Sequence, residues 1–358
     1  MAKVFAFPMG PANYTIDIIE NVYKSMGINY AFVHGSSEAS DEGCRGVLVL
    51  GETKGWYKLF SIIWPILKKN DIFIVNSYTD KISLLIILIN IFFFKKPMGI
   101  SSDTQLRIPK NIFRRVVKYI LLGFLFRRKF IYGLPGGTKY HVDMFRYYGM
   151  SASRITVLPM MVNNAKYFRK YIETPQDVFR FVYVGRLIPC KRVKEIIKAY
   201  GKLKSAIKNI ELHIIGDGIE REDLERLSNG LHVVFHGRLC GEHLIRQFHK
   251  MHCLVLYSSF EQWGLVVNEA LASGIPCIVS KEVGARFDLV QKEPVTGIVA
   301  DEGSDSLSEA MKEFVLNKKL WKSCSDNALK RMSAWDYEKY KKQIECFVIQ
   351  SGGTLYAD

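Results

Sequence analysis

A chain of 358 residues is long enough for two domains with separate cores, and its 48% hydrophobic content fits a globular protein, not a disordered one. The seven cysteines are scattered without a C-x-x-C pair, which argues for a reducing cytosol and against a zinc site or a disulfide framework. The net charge of +15 predicts an anionic partner, but charge alone does not distinguish anionic lipid, a polyanionic substrate and nucleic acid.

Apolar segments alternate with turn signals through the first half. Strands are predicted over 4–7, 30–33, 47–50, 71–76, 98–101, 131–132 and 155–158, and helices over 16–26, 56–67, 82–94 and 140–148, with another starting near Pro109. The first apolar run is too short for a signal peptide. The longest, 82–94, is shorter than the roughly 20 residues that cross a bilayer and is interpreted as a buried helix. This alternation predicts a parallel sheet covered on both faces.

The alternation restarts after residues 166–177, which lack periodicity and are interpreted as an interdomain linker. Strands are predicted over 179–184, 211–215, 233–235, 253–257 and 277–280, and helices from Lys191, over 265–271 and over 335–349. Such sheets bind ligands beyond the carboxyl ends of their strands. Residues that follow these strands are therefore the candidates for a site.

Two cations follow the first strand of the second half. Gly185 releases the backbone where the strand ends, and Arg186 and Lys191 precede the next helix. A guanidinium binds phosphate through a two-pronged fork and an ammonium binds it as a point charge, with roughly 1.5 to 3 kcal/mol for each charged hydrogen bond. The pair is suited to a diphosphate.

The most informative stretch, 257–280, predicts a strand, a loop, a helix and a second strand. Glu261 lies in the loop, Gly264 lies where the helix starts, and Glu269 lies in the early turns of the helix. The free N–H groups at such a start form an anion site. Carboxylates on both sides of a phosphate are explained if each accepts hydrogen bonds from hydroxyls. The pattern therefore predicts a nucleotide sugar as the ligand.

The stretch resembles the E-x7-E motif of retaining GT-B glycosyltransferases of family 4, with Glu261 and Glu269 as its glutamates inside EQWGLVVNEALASGIPCIVS. The resemblance implies that Glu261 contacts the hydroxyls of the donor sugar and that Glu269 holds the ribose. It also implies that the backbone of Gly264 and Leu265 holds the diphosphate.

The segment from Gly185 to Lys191 resembles the G-R-x4-K signature of the same family. The resemblance implies that Arg186 and Lys191 bind the diphosphate and stabilise the leaving group. Gly216 lies in a G-D-G turn similar to one in the family that lies near the nucleotide but is often structural. Arg238 follows His-Gly, where relatives contact the base largely through the backbone, so the pattern does not identify the base.

In the first half the match is mostly one of architecture. Gly10 and Asn13 lie in the first strand-end loop, which faces the interdomain cleft in the family, although Pro11 replaces the second glycine of the family's pair. A simple helix-entry turn is the alternative. Asp103 is the candidate for an acidic residue that approaches the reacting sugar, with a helix cap or turn as the alternative. His141 is interpreted as a buried helix histidine or as an acceptor or phosphate contact.

The resemblance implies an α/β fold of the GT-B type, with two Rossmann-like doubly wound domains facing across a cleft. The predicted domains are an N-terminal acceptor-side domain (1–165), the linker (166–177), a nucleotide-sugar-binding domain (178–334) and a C-terminal helix (335–358) that crosses back to the first domain.

The implied activity is transfer of a sugar, with retention, from a UDP-sugar or, less favoured, a GDP-sugar to a hydroxyl of a lipid-linked or growing surface-polysaccharide acceptor such as an O-antigen. No cofactor and no metal are expected, and the sequence has no D-x-D triplet. Basic residues flanking 119–126 predict an interfacial helix on an anionic membrane surface, with a solvated basic face on a core helix as the alternative. The enzyme is therefore expected in the cytoplasm, at the inner face of the plasma membrane, and the oligomeric state is not predicted.

Two other interpretations stay open. One is an enzyme of the same fold but another class, a sugar phosphorylase or a nucleotide-sugar epimerase. The other is a basic protein that binds a membrane or nucleic acid without catalysis, although the sequence contains no nucleic-acid motif.

Overall fold

The computed structural model describes residues 2–35, 47–169, 175 and 177–355. The chain divides into two units, Met1–Met160 together with Tyr337–Asp358, and Met161–Asp336. Each unit is built around one parallel sheet.

In the described part of the first unit, five parallel strands form a sheet in the order β2-β1-β3-β4-β5. The strands are β1 (Val4–Phe7), β2 (Asn29–Tyr30), β3 (Ile72–Asn76), β4 (Met98–Ser102) and β5 (Ile131–Pro135), and the helices are α1 (Asn13–Ile18), α2 (Trp56–Lys69), α3 (Lys81–Ile89), α4 (Ile112–Phe126) and α5 (Tyr140–Tyr147). The central strand β3 is apolar on both faces, which is what helices on both sides of a parallel sheet require. Wider π-helical turns, Ile19–Tyr23 and Asn90–Phe94, continue α1 and α3.

The last helix, α13 (Tyr337–Gln350), belongs to the first unit. Phe347 and Val348 on this helix are fully buried. The hydroxyl of Tyr132 donates to the carbonyl of Gln350 at 3.1 Å, and the hydroxyl of Thr156 donates to its side-chain oxygen at 2.7 Å. The helix therefore completes the packing of this unit.

Among the residues described in the second unit, six parallel strands form a sheet in the order β11-β10-β9-β6-β7-β8. The strands are β6 (Phe179–Val184), β7 (Ile210–Ile215), β8 (Val233–Gly237), β9 (Cys253–Leu256), β10 (Cys277–Ser280) and β11 (Gly297–Ala300), and the helices are α6 (Asn164–Tyr167), α7 (Val193–Ala206), α8 (Arg221–Leu227), α9 (Gly241–Phe248), α10 (Leu265–Ala272), α11 (Ser304–Leu316) and α12 (Lys318–Ser333). Strands β9 and β10 are buried along their whole length.

The alternating parallel architecture predicted from the sequence is confirmed, and two predicted strands are wrong. Residues 47–50 and 155–158 make only single bridges, Phe32 to Val49 and Gly133 to Ile155, in place of a ladder. Helix α4 begins at Ile112 and not near Pro109, because the side chain of Asn111 accepts the N–H of Arg114 and caps the helix.

The predicted buried helix over 82–94 is buried in its middle, but part of its last turn is exposed. Ile86 and Ile87 are fully buried, but Phe92 and Phe93 are each 62% exposed. Among the described residues, no helix combines the length and the apolar character needed to cross a membrane.

Candidate functional site

The order of strands in the second unit locates a crevice at the carboxyl edge of its sheet. From β6 the chain builds the sheet outward through β7 and β8, and it then returns to the other side of β6 to add β9, β10 and β11. A doubly wound sheet binds its ligand where the strand order reverses in this way. The loops that follow β6 and β9 flank this position, and they contain Arg186, Lys191, Glu261 and Gly264.

Lys191 and Glu261 connect the two loops by an ion pair. Both side chains are largely buried, at 12% and 19% exposure, and the hydroxyl of Ser258 also donates to Glu261, at 3.3 Å. The backbone N–H of Ser259 donates to the carbonyl of Cys190 at 2.8 Å and fixes the same junction. A cation beside the carboxylate reduces the repulsion that Glu261 would exert on a phosphate.

Three glycine-containing strand ends are joined on the other side of β6. The N–H of Gly185 donates to Ile215 and that of Gly216 donates to Gly237, at 3.0 and 2.8 Å. Gly216 has a φ of +145°, and a Cβ there would lie 1.8 Å from the carbonyl oxygen of Gly185. No other residue fits at this position, because a side chain would separate the two loops.

These joined loops border an open cleft of about 840 Å³, within the ordinary size range of ligand sites. Gly185, Arg186, Gly216 and Arg238 line it. Arg186 and Arg238 are both exposed, so their guanidinium groups are accessible to a ligand. The buried hydroxyl of Tyr183 donates to the carbonyl of Arg186 at 2.8 Å, which holds the start of this loop in place.

Helix α10 starts at Gly264 without a side-chain cap. Gly264 has a φ of +96°, and a Cβ would lie 3.1 Å from the side chains of both Glu261 and Leu256. The carbonyl of the preceding Trp263 accepts the N–H of Ala285, which ties the loop to the chain beyond β10. The uncapped start leaves the N–H of Leu265 oriented for an anion.

Glu269 lies one turn into α10 and is partly buried. Burial raises the pKa of its carboxyl to about 7, while a hydrogen bond from Tyr167 on α6 acts in the opposite direction. A carboxyl with this pKa is about half ionised near neutral pH. A hydroxyl-bearing ligand that donates to the carboxylate would therefore favour its ionised form.

The structure thus brings several predicted residues together within the second unit. Lys191 contacts Glu261 directly, Arg186 and Arg238 share the cleft, and Glu269 follows Gly264 on α10. Sequence reasoning missed Ser258 and Tyr167. Tyr167 lies 102 positions before Glu269, and no local pattern indicates that α6 packs against α10.

The remaining predicted residues lie in the first unit. Gly10 follows β1, where a Cβ would lie 3.2 Å from the carbonyl oxygen of His34. Asp103 follows β4 and is partly buried. His141 is 1% exposed, with its Nδ1 at 3.3 Å from the carbonyl of Thr138, so it lies in the core of this unit.

Sequence reasoning also missed a histidine–aspartate pair in the first unit. The Nε2 of His34 lies 2.6 Å from Oδ1 of Asp80, whose Oδ2 accepts the N–H groups of Ile82 and Ser83 and caps α3. Desolvation acts to raise the pKa of Asp80, but the Ser83 N–H and His34 outweigh it and lower that pKa. The pair lies at the carboxyl edge, beside the strand-order reversal between β1 and β3. Within the described ranges, no three His, Cys, Asp or Glu side chains could hold a metal ion together.

Residues 165–331 match the family model described as glycosyl transferases, group 1. An uncharacterised glycosyltransferase of Methanocaldococcus jannaschii is 32% identical over 178 residues, which cover 48% of this chain and 44% of that protein. The chain thus spans less than half the length of this relative. The capsular polysaccharide biosynthesis glycosyltransferase CapM of Staphylococcus aureus is 26% identical over 311 residues, covering 80% of this chain and 79% of CapM.

Among solved structures, Anabaena HepE in complex with UDP and glucose superposes with a TM-score of 0.72 over 96% of this chain and 98% of that one, at 15% identity. That likeness shows the fold. The family match assigns residues 165–331 to the group 1 glycosyltransferases, and the CapM alignment and the GT-B fold shared with HepE extend the likeness over most of the chain.

Proposed function

We propose that the chain transfers a sugar from a nucleoside diphosphate sugar to an acceptor hydroxyl, with retention at the anomeric carbon and without a metal. The contact between Lys191 and Glu261 across the reversal of strand order carries this proposal. It puts a cation for the diphosphate beside a carboxylate for the sugar hydroxyls, at the position where such a sheet binds its ligand.

In the proposed complex, Arg186, Lys191 and the N–H of Leu265 hold the diphosphate, while Glu261 accepts from the transferred sugar and Glu269 accepts from the ribose. The bond between the anomeric carbon and the β-phosphate oxygen breaks as the acceptor oxygen attacks from the same face. The acceptor proton passes to the departing phosphate. Fixed positive groups at the diphosphate stabilise the charge that grows there, which is usually the largest electrostatic contribution to catalysis.

We propose a UDP-sugar as the donor. HepE has been solved with UDP, and its fold matches over nearly the whole chain. The cleft that contains Arg186 also contains Arg238, on the loop where the base is expected. Asp103 and Gly10, on the carboxyl edge of the other sheet, are the proposed acceptor-side residues.

We propose a lipid-linked or surface-polysaccharide acceptor and peripheral attachment to an anionic membrane. CapM acts in capsular polysaccharide biosynthesis. Helix α4 exposes a row of apolar side chains, among them Phe113 at 74% and Ile120 at 63%, with Arg114 and Arg115 between them. Exposed apolar residues among cations on one helix are suited to the headgroup region of anionic lipid.

The stereochemistry of donor hydrolysis tests the reaction. Proton NMR of the first sugar released from an α-linked UDP-sugar should show the α anomer before mutarotation, at the same rate with and without chelator. Arg186→Ala should abolish release, whereas Arg226→Ala, an equally charged change on the exposed surface of α8, should leave it unchanged. Initial release of the β anomer, or loss of release on chelation, would contradict the proposal.

A further inference from the structure

Most of the net positive charge of the chain comes from one stretch of the first unit. Residues 81–142 contain twelve Lys and Arg and a single acidic residue, Asp103, a net +11 of the total +15. This stretch includes α3, β4, α4 and β5. It is also where the exposed apolar residues are concentrated, so charge and apolar surface coincide.

An open groove of about 660 Å³ runs between α3 and α4. Its walls are mostly apolar, with Leu84 and Leu88 from α3 and Val117 and Leu121 from α4. Two cations of α4, Arg114 and Lys118, also line it. Leu121 is 59% exposed. A groove of this size and composition is suited to a small apolar ligand or to part of a larger one.

One end of the groove lies at the carboxyl edge of the sheet. Tyr78 and Thr79, which follow β3, line it there. The Tyr78 side chain hydrogen-bonds Thr104, the neighbour of Asp103. At the turn after α3, Phe92 and Phe93 extend the apolar surface, and the ring of Phe92 lies 6.3 Å from that of Phe124 on α4.

We propose that this groove holds the hydrocarbon chain of an anionic, single-chain lipid-linked acceptor and leads its head group toward the loops after β3 and β4. The inference rests on the proposed function, and it adds a binding site for the lipid of the acceptor in the first unit. The cations on and beside α4 complement an anionic head group. The same charge disfavours a second copy of this chain as the occupant, because two such surfaces repel each other.

The test uses single-chain alkyl phosphates of increasing length, kept below their critical micelle concentrations and titrated calorimetrically into the full chain. The affinity should rise about fourfold for each added methylene, the increase expected for burial of one CH₂, and should stop rising once the groove is full. A soluble anion without a chain, inorganic phosphate, should bind far more weakly. Equal affinities for short and long chains would overturn the proposal.

Two neighbouring residues of α4 provide a matched pair of variants. Val117 lines the groove and is 38% exposed, whereas Val116 does not line it and is 47% exposed. Val117→Asp should weaken binding of the longest alkyl phosphate at least tenfold, and Val116→Asp should leave it within about twofold of wild type, because the two variants carry the same charge and helix propensity. Both should weaken binding to anionic vesicles.

Three outcomes would contradict binding of a hydrocarbon chain in the groove. Equal losses in both variants, or binding to vesicles without binding of monomeric alkyl phosphate, would show a general membrane surface. A wild-type dimer that Val117→Asp converts to a monomer would show a second copy as the occupant. A UDP-sugar is titrated into the same samples to test the proposed function separately. Failure to bind the UDP-sugar would contradict the donor site in the second unit, whereas the alkyl phosphate titration tests the groove in the first unit.

Discussion

We expect Glu269 to make donor binding depend on pH. Burial raises the pKa of this carboxyl to about 7 in the ligand-free structure. If the ribose hydroxyls donate to the ionised form, binding requires loss of the proton whenever the carboxyl is protonated. With a pKa of about 7, the ionised fraction falls from about nine tenths at pH 8 to about one tenth at pH 6. The affinity for a nucleotide sugar should therefore fall about tenfold over this interval.

Calorimetric titration of a UDP-sugar at pH 6, 7 and 8, in two buffers with different ionisation enthalpies, measures both the affinity and the protons released. A nucleotide sugar is the appropriate ligand because its diphosphate is esterified at both ends and does not titrate in this range. Glu269→Gln keeps the shape and one acceptor oxygen and should bind with the same affinity at all three values. A wild-type affinity that is flat from pH 6 to 8, or a variant with the wild-type slope, would show that ionisation of Glu269 does not control binding.

Three further predictions concern the second unit. Lys191→Gln should lower kcat for transfer, measured by release of UDP, about 10²- to 10³-fold. The reason is that the change removes one fixed positive group from the diphosphate and leaves Glu261 without its cation. An unchanged kcat would exclude Lys191 from stabilising the leaving group. Gly264→Ala should lower the free energy of unfolding by about 1 to 2 kcal/mol in urea titrations, because the backbone at position 264 has a φ of +96°, which disfavours a side chain. An unchanged free energy of unfolding would show that a side chain causes no strain there. Burial lowers the pKa of His252 to about 4, below the unfolded value of 6.5, so the free energy of unfolding should fall by about 2 kcal/mol as the pH falls from 7.5 to 5. His252→Asn should remove that part of the pH dependence. A variant whose free energy of unfolding depends on pH as in wild type would contradict the prediction.

The reason for the His252 effect is visible in its hydrogen bonds. The backbone N–H of Arg180 donates to Nδ1 of His252 at 2.9 Å, so this nitrogen acts as an acceptor and has no proton. The ring also packs 5.4 Å from Phe179 and 6.2 Å from Trp321. A charged imidazole would lose the acceptor and remain in an apolar setting.

The sequence predicted those parts of the site that lie within one short stretch. The loop with Glu261, the start of α10 at Gly264 and the position of Glu269 depend on residues at most eight positions apart, and the apolar runs on both sides specify β9 and β10. The glycines after β6 and β7 were also predictable, because strand-end glycines mark close backbone approach, as the 1.8 Å clash at Gly216 illustrates.

The parts that sequence could not predict depend on contacts between distant segments. Residues 155–158 have the composition of a strand but make only one bridge to β5, since strand formation requires a partner edge as well as a pattern. The pairing of His34 with Asp80 joins residues 46 positions apart. Equally, the amphipathic pattern of α4 predicted an interfacial helix, whereas the groove with α3 depends on how the two helices pack.

The donor site is the central claim, and direct binding tests it. UDP-, GDP- and ADP-sugars are titrated into wild type, Arg186→Ala and Glu269→Ala, with Arg226→Ala as the folded surface control, each with and without chelator. We expect tight binding of the UDP-sugar by wild type and the control, loss of binding in the two site variants and no effect of chelator. Absence of nucleotide-sugar binding by the folded wild-type protein, or full binding by Arg186→Ala and Glu269→Ala, would contradict it.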